Sequence, residues 1–210
     1  MLRLINIISN LMTVASFNIK IQKVYIAGQE FKRYVPKELN NNKVITFYSG
    51  GNSIMPTGIY NQFLNVMANK NYTIYAMSNN RDANLELYET IYNKDIYPVS
   101  HSSGCVNAIN DINSIRHIKR SVFMDPVNNQ NVFNRVQPIP FLKSENSIKI
   151  KHLENILLLN AEYSYKWQFF PQFKTPFIPG FALTEKQISE IKPNIDISII
   201  KAADYGHCDI

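Results

Sequence analysis

The sequence contains little glycine and little cysteine. It has seven glycines and two cysteines among 210 residues. Cys105 and Cys208 are too few for a disulfide framework and lack the spacing of a zinc site, so we expect no metal and no cofactor. With so few glycines, the turns that contain Gly50-Gly51 and Gly104 become informative, because glycine marks positions where the backbone bends sharply or approaches another group.

A dense basic block is also absent. The chain carries 22 basic and 16 acidic residues, a net charge of +6, but the lysines are scattered. Nucleic-acid grooves need clustered cations with interleaved aromatic residues, so we expect no nucleic-acid partner. No apolar run is long enough to cross a bilayer. The positive charge is compatible with peripheral contact at an anionic membrane surface.

Long linkers and internal repeats are missing as well, which predicts a single domain over residues 1–210. The first sixteen residues, MLRLINIISNLMTVAS, allow two main interpretations. Apolar residues at roughly helical spacing predict that residues 2–13 form a helix packed on the sheet or on a partner subunit. A basic start and an apolar middle also outline a secretion signal, and a segment lying on a membrane is a third interpretation. We favour the packing helix and a cytoplasmic location; the sequence predicts no oligomeric state.

Strand-like and helix-like segments alternate along the chain. Residues 17–26 and 30–36 predict a leading hairpin. Further strands are predicted at 43–51, 72–78, 95–102, 119–127, 155–164 and from 196 onward, and helices at 57–71, 82–93, 103–112 and 184–193. In the first helix, Ile59, Phe63, Leu64, Met67 and Ala68 share the buried face. This alternation predicts an α/β fold with a mainly parallel central sheet, helices on both faces, and sites at the carboxyl ends of the strands.

The segment SHSSG, residues 100–104, falls between a predicted strand and a predicted helix. It matches the G-x-S-x-G nucleophile elbow with serine in place of the first glycine. The elbow exposes the hydroxyl of its central serine, here Ser102, and directs the next backbone N–H, that of Ser103, at an oxyanion. The alternative is a serine in an ordinary turn that caps the helix.

A serine nucleophile needs a base and an acid that orients the base. His207 follows the last predicted strand, which makes it the preferred base over the other three histidines. Two residues compete as the acid: Asp125 in FMDPV, after the strand that follows the elbow helix, and Glu162 in LNAEYS, one strand later. The order serine, acid, histidine is that of α/β-hydrolases.

Two further segments complete the predicted site. The loop Ser49-Gly50-Gly51-Asn52 follows a buried strand, so we expect the Gly51 N–H as the second oxyanion donor. Asn52 is the weaker candidate for that role, and we expect it to contact substrate. The aromatic segment 163–181 follows a predicted strand, so it forms a connection close to the predicted site. We expect Trp167 and Phe170 to contact substrate there, although such segments more often belong to a core.

These motifs resemble the α/β-hydrolases of the chlorophyllase, platelet-activating-factor acetylhydrolase and lipase type. SGG follows their His-Gly loop, SHSSG their G-H-S-x-G, MDPV their Asp-Pro-Val, and DYGHCD their Gly-His-x-Asp ending. The resemblance covers about residues 43–127 and the last ten. It implies Asp125 as the acid. Ser49 and Ser100 depart from the family's His and Gly, and the sequence stops three residues after His207, which implies a minimal fold without the closing helix.

The sequence therefore predicts a serine hydrolase that cleaves small-molecule or lipid carboxylic esters through a Ser102, His207, Asp125 triad and an acyl-enzyme. The same triad would serve a thioesterase, a peptidase or an acyltransferase. Ser49 and Ser100 favour a different class, a non-catalytic binding protein with the hydrolase fold.

Overall fold

The structure, a computed structural model, describes residues 19–36, 42–126, 150–163 and 195–206. Its strands are β1 Lys20–Ile26, β2 Gln29–Val35, β3 Lys43–Tyr48, β4 Thr73–Ala76, β5 Asp95–His101, β6 Arg120–Met124, β7 Asn155–Tyr163 and β8 Asp196–Gly206. Its helices are α1 Gly50–Ser53, the 3-10 helix η1 Thr57–Tyr60, α2 Asn61–Asn69, α3 Arg81–Thr90 and α4 Gly104–Ile112. Outside these ranges lie the predicted helices at 2–13 and 184–193, most of the aromatic segment 163–181, and Cys208.

The strands form one sheet in the order β1-β2-β4-β3-β5-β6-β7-β8. β1 pairs with β2 as the predicted antiparallel hairpin, and β2 pairs antiparallel with β4. Every pairing from β4 through β8 is parallel, so the predicted mainly parallel sheet is confirmed. Because β3 has β4 on one side and β5 on the other, the strand order reverses at β3. Ligands of open α/β sheets bind outside the carboxyl ends of the strands at such a point.

Side-chain alternation along the central strands builds a core on each face of the sheet. In β3, Val44 and Tyr48 face the cluster that contains the buried residues of α3 and α4. Ile45 and Phe47 face the opposite cluster, with Leu64 of α2. A strand covered on both faces reads as a continuous apolar, β-branched run, as KVITFY does. Helices therefore lie on both faces, as predicted.

One predicted core residue is misplaced. Ile59, expected on the buried face of the first helix, is 48% exposed, while Tyr60 is buried. The reason is that residues 57–60 form a separate 3-10 turn with three residues per turn, which shifts the phase of the pattern before α2 begins. Tyr60 is therefore buried where the 3.6-residue period of an α-helix predicted Ile59 to be buried.

The ends of the helices agree with their sequences. The side chain of Asn80 caps α3 by accepting a hydrogen bond from the Ala83 N–H at 3.3 Å. Cys105, in the first turn of α4, is a buried free thiol whose pKa is raised to about 12 by burial. In the part of the chain described here, no helix has the length and hydropathy needed to cross a bilayer.

Candidate active site

β5 passes into α4 through two residues, Ser102 and Ser103. Ser102 has φ +55°, and its N–H donates to the Met124 carbonyl of β6 at 3.0 Å. A positive φ is costly for a residue with a side chain, so the surrounding contacts must hold the turn in place. Ser103 is already helical and is the N-terminal cap residue of α4. The segment between strand and helix is therefore a sharp, strained turn with Ser102 at its tip.

The turn depends on close approach of α4 to the end of β3. A Cβ on Gly104 would lie 2.2 Å from the Ser49 carbonyl oxygen and 2.8 Å from that of Tyr48, so only glycine fits. Ser100, two residues before Ser102, is fully buried, and its Oγ donates to Cys105 Sγ at 3.2 Å. The buried hydroxyl of Ser100 therefore has a hydrogen-bond partner on the helix, which explains how serine is accommodated where the resembled family has glycine.

Asp125 directly follows β6 and is fully buried with φ +42°. Its N–H donates to the Leu159 carbonyl at 2.6 Å, and its Oδ1 accepts from the Ala161 N–H at 3.3 Å. In the register, His101 of β5 pairs with Met124 of β6. Ser102 and Asp125 are the next residues on these two strands, so the structure brings them to the same level of neighbouring strand ends.

Glu162, the competing acid, lies further along its strand, past the level of Ser102. Met124 pairs with Leu159, and Glu162 is three residues beyond Leu159 on β7, about 10 Å along the strand. The backbone of Glu162 belongs to β7, whereas its side chain lies outside the described part of the chain. Of the two candidates, only Asp125 follows its strand at the level of Ser102.

The histidines differ in whether they lie at the amino ends or at the carboxyl ends of the strands. His117 and His152 precede β6 and β7, which places them toward the amino ends of the strands, away from Ser102. His101 ends β5 and is buried, with Nδ1 at 2.8 Å from the Tyr60 hydroxyl. His207 follows β8 and lies outside the described residues. β8 ends at Gly206, which pairs with Tyr163 of β7 after a bulge, four residues beyond Leu159.

The glycine loop follows β3, which flanks β5 on the side opposite to β6 and Asp125. Ser49 is buried, and its Oγ donates to the Met55 carbonyl at 2.9 Å, closing the loop. Gly51 has φ +61°, a conformation that glycine adopts without strain. The Gly50 N–H donates to the Tyr60 hydroxyl at 2.9 Å, so it is already used. Asn52 belongs to α1, and its side chain is not described.

Two features of this region escaped the sequence analysis. Tyr60 contacts both the glycine loop and His101, and its only signal was an aromatic residue just upstream of an amphipathic helix. Asp111 of α4 is buried, where it accepts from the Tyr48 hydroxyl at 2.9 Å and the Asn84 amide at 2.8 Å. Its signal was a carboxylate on the apolar face of a helix. Among the residues the structure describes, no group of three or more His, Cys, Asp or Glu is arranged to hold a metal ion.

No protein-family model matches the sequence, and the search of curated proteins gave no match. Solved structures do match. The Francisella virulence factor BioJ is 11% identical, with a TM-score of 0.62, over 98% of this chain and 81% of that chain. EstE5 is 11% identical with a TM-score of 0.61, over 99% and 82%. The esterase domain of a Rhodothermus marinus protein is 9% identical with a TM-score of 0.59, over 91% and 90%.

At such low identity these similarities establish the fold alone. The chain has the α/β-hydrolase fold, a mostly parallel sheet with helices on both faces, which it shares with esterases. The narrower resemblance to chlorophyllases and platelet-activating-factor acetylhydrolases stays a prediction from the sequence.

Proposed function

We propose that the chain is a serine hydrolase that cleaves carboxylic esters. The observation that carries the proposal is the strained turn at Ser102, which lies between β5 and α4, level with Asp125 and beside the glycine loop. Ser102 is 8% exposed, and the proposal requires a substrate to reach its hydroxyl from above the strand ends. An ordinary helix cap would need neither the positive φ nor the buried carboxylate on the neighbouring strand.

In the proposed reaction, Ser102 Oγ attacks the ester carbonyl carbon while His207 accepts the hydroxyl proton. The tetrahedral oxyanion receives hydrogen bonds from the N–H groups of Gly51 and Ser103. The intermediate collapses, the C–O bond to the alcohol breaks, and His207 returns the proton to the departing alcohol. Water then attacks the acyl-enzyme with His207 as the base again, which releases the carboxylic acid and restores Ser102.

Asp125 is the proposed acid that holds the imidazole in the correct tautomer. The register supports it over Glu162, because Asp125 follows β6 directly at the level of Ser102. Burial also suits this role, since a carboxylate out of water interacts more strongly with an imidazolium than an exposed one does.

His207 is proposed from its place after β8 and from the Gly-His-x-Asp resemblance. Gly206 pairs with Tyr163, four residues beyond Leu159 on β7, which is about 13 Å past the level at which β5 and β6 end. The proposal therefore requires the chain after Gly206 to return toward Ser102. Among the described histidines only His101 lies at this edge, and its Nδ1 is engaged by Tyr60.

The substrate class is proposed from the sequence. The aromatic segment that contains Trp167 and Phe170 favours an apolar acyl group. Hydrolysis rates for p-nitrophenyl esters of increasing acyl length test this, and a thioester of matched acyl length tests the thioesterase alternative. If the rate does not depend on acyl length, the apolar-acyl assignment is wrong.

The deciding experiment is labelling with a fluorophosphonate probe, followed by ester hydrolysis assays. We expect the wild type to be labelled and Ser102→Ala to lose both labelling and hydrolysis. His207→Ala and Asp125→Asn should lower the rate by several orders of magnitude, because a missing or wrongly oriented imidazole cannot act as base. Labelling and hydrolysis should stay measurable in His101→Ala and Glu162→Gln.

Each alternative outcome has a meaning. If His101→Ala and Ser102→Ala lose activity equally, the assignment of Ser102 as nucleophile or of His207 as base is wrong. Loss in Glu162→Gln with activity kept in Asp125→Asn would transfer the acid to β7. A folded wild type that is neither labelled nor active would favour a non-catalytic binding protein.

A further inference from the structure

The hydroxyl of Tyr60 joins the two halves of the candidate site. It accepts a hydrogen bond from the Gly50 N–H at 2.9 Å and lies 2.8 Å from Nδ1 of His101. Gly50 begins the glycine loop, and His101 is the residue immediately before Ser102. A single buried side chain therefore connects the loop proposed to bind the oxyanion with the turn that carries the proposed nucleophile.

Packing holds this hydroxyl in place. The Tyr60 ring makes an edge contact with Phe47 of β3, with ring centroids 4.9 Å apart, and a second with His101 at 5.5 Å. Space around Gly50 is already filled: a Cβ there would lie 3.1 Å from the Tyr60 oxygen and 3.4 Å from His101 Nδ1. The three groups thus meet at one point without room for rearrangement.

The hydrogen bonds have a consistent direction. A backbone N–H can only donate, so the Tyr60 oxygen accepts from Gly50. With Nδ1 of His101 unprotonated, the Tyr60 O–H donates to it, and the chain runs from loop to hydroxyl to imidazole. Fixing the Gly50 amide limits rotation of the loop, and the next N–H along it belongs to Gly51. Oxyanion donors work only when they are held at the position of the developing charge.

We infer that Tyr60, acting with His101, is a positioning residue that sets the oxyanion loop relative to Ser102. This inference depends on the proposed function of the same site. Tyr60 is not a catalytic residue, because the geometry assigns it to Gly50 and His101. Its effect should therefore appear in stabilisation of the oxyanion and not in substrate binding.

The test compares Tyr60→Phe with Tyr34→Phe. Both remove one buried hydroxyl from the same apolar cluster, but the Tyr34 hydroxyl donates to Asn61 Oδ1 at 3.3 Å, away from the loop. Three experiments are made: amide hydrogen exchange of residues 49–56, steady-state kinetics (kcat and KM) with a p-nitrophenyl ester, and inhibition by a trifluoromethyl ketone, whose adduct with serine carries an oxyanion.

For Tyr60→Phe we expect faster exchange in residues 49–56 and a kcat about tenfold lower. This is less than the ~100-fold effect of deleting an oxyanion donor, because the donor is displaced and not removed. KM should stay within about twofold, and the ketone should bind about tenfold more weakly, in parallel with kcat. Tyr34→Phe should match the wild type in all three. His101→Asn, which keeps an acceptor, should retain more activity than His101→Leu.

Unchanged exchange in Tyr60→Phe would overturn the link between Tyr60 and the loop. Faster exchange with unchanged kcat and ketone affinity would overturn the positioning role. A wild type that neither reacts with the fluorophosphonate nor hydrolyses esters would instead refute the proposed function, and the exchange measurement would still decide whether Tyr60 holds the loop.

Discussion

At the scale of single residues, two serines stand where the resembled family has a histidine and a glycine. Ser49 closes the loop after β3 through its bond to the Met55 carbonyl, and Ser100 fills a small space against Cys105. Both side chains are buried and hydrogen-bonded, so each satisfies its own polar atom. These departures are therefore built into the packing of the site.

Asp111 of α4 is a buried carboxyl group whose burial opposes its charge. Burial raises its pKa to about 6, although hydrogen bonds from Asn84 and Tyr48 and the charge of Arg81 at 3.9 Å oppose the shift. The carboxyl links α4 to β3 and α3, because Tyr48 and Asn84 belong to those elements. Its protonation state therefore affects how three elements are joined.

The pH dependence of stability should reveal Asp111. Because its folded-state pKa of about 6 lies above the ordinary value, the folded protein binds more protons than the unfolded chain between about pH 4 and pH 6. This stabilisation is complete below about pH 4 and is lost as the pH rises through 6. Between about pH 5 and pH 8, the wild type should lose about 1.4 kcal/mol of unfolding free energy that Asp111→Asn does not lose.

Urea unfolding of both proteins at the two pH values measures this difference, with exposed Asp82→Asn as the control for removing a surface charge. A difference that stays constant with pH, or that favours the wild type at higher pH, would contradict the assignment.

At the scale of elements, the junction of β5 and α4 is tightly packed against the end of β3. α4 starts so close to the end of β3 that Gly104 has backbone oxygens where a Cβ would be. Backbone cannot move aside as a flexible side chain can. The constraint explains why one of only seven glycines is found here.

We expect Gly104→Ala to lower the free energy of unfolding by about 3 kcal/mol or to prevent folding, since overpacking against fixed backbone is costly. Gly58→Ala is the matched control, because a Cβ at Gly58 meets only the Asn61 side chain, at 4.0 Å. Thermal unfolding of the two variants checks the prediction. Equal melting temperatures would show that α4 can shift away from β3.

Elements with strong local signals were predictable from the sequence. The hairpin, the parallel strands and the helices after β4 and β5 stand where periodicity and turn residues placed them. The 3-10 turn η1, and with it the burial of Tyr60 in place of Ile59, was not predictable. A single turn of 3-10 helix has too few residues to show its period in the sequence. β8 continues to Gly206, in agreement with the prediction that His207 directly follows the last strand.

The candidate site was predictable only in part. Ser102 and Asp125 are found by motif and strand order, and both follow the expected strands. The contacts of Tyr60 and the closure of the loop by Ser49 depend on three-dimensional approach between segments that are far apart in the chain. No local pattern encodes those approaches, so they appear only in the structure.

At the scale of the whole molecule, the β1 edge of the described sheet differs from its centre. β3 and β5 have a paired strand on each side and buried side chains on both faces. Among the described strands, β1 pairs only with β2, and its Ile21 and Tyr25 are 53% and 67% exposed. Few buried contacts and a single partner allow a segment to open without unfolding the rest.

Native-state hydrogen exchange should therefore show a gradient across the sheet. We expect amides of β3 and β5 to exchange only through global unfolding, with an opening free energy that falls in proportion to urea concentration. Amides of β1 that bond to β2 should open at least a few kcal/mol more easily and with little dependence on urea, since local opening exposes little surface. Amide exchange measured at several sub-denaturing urea concentrations provides both quantities. If β1 opens with the same free energy and urea dependence as β3, the hairpin unfolds together with the parallel sheet, and the site rests on one cooperative unit that includes its antiparallel edge.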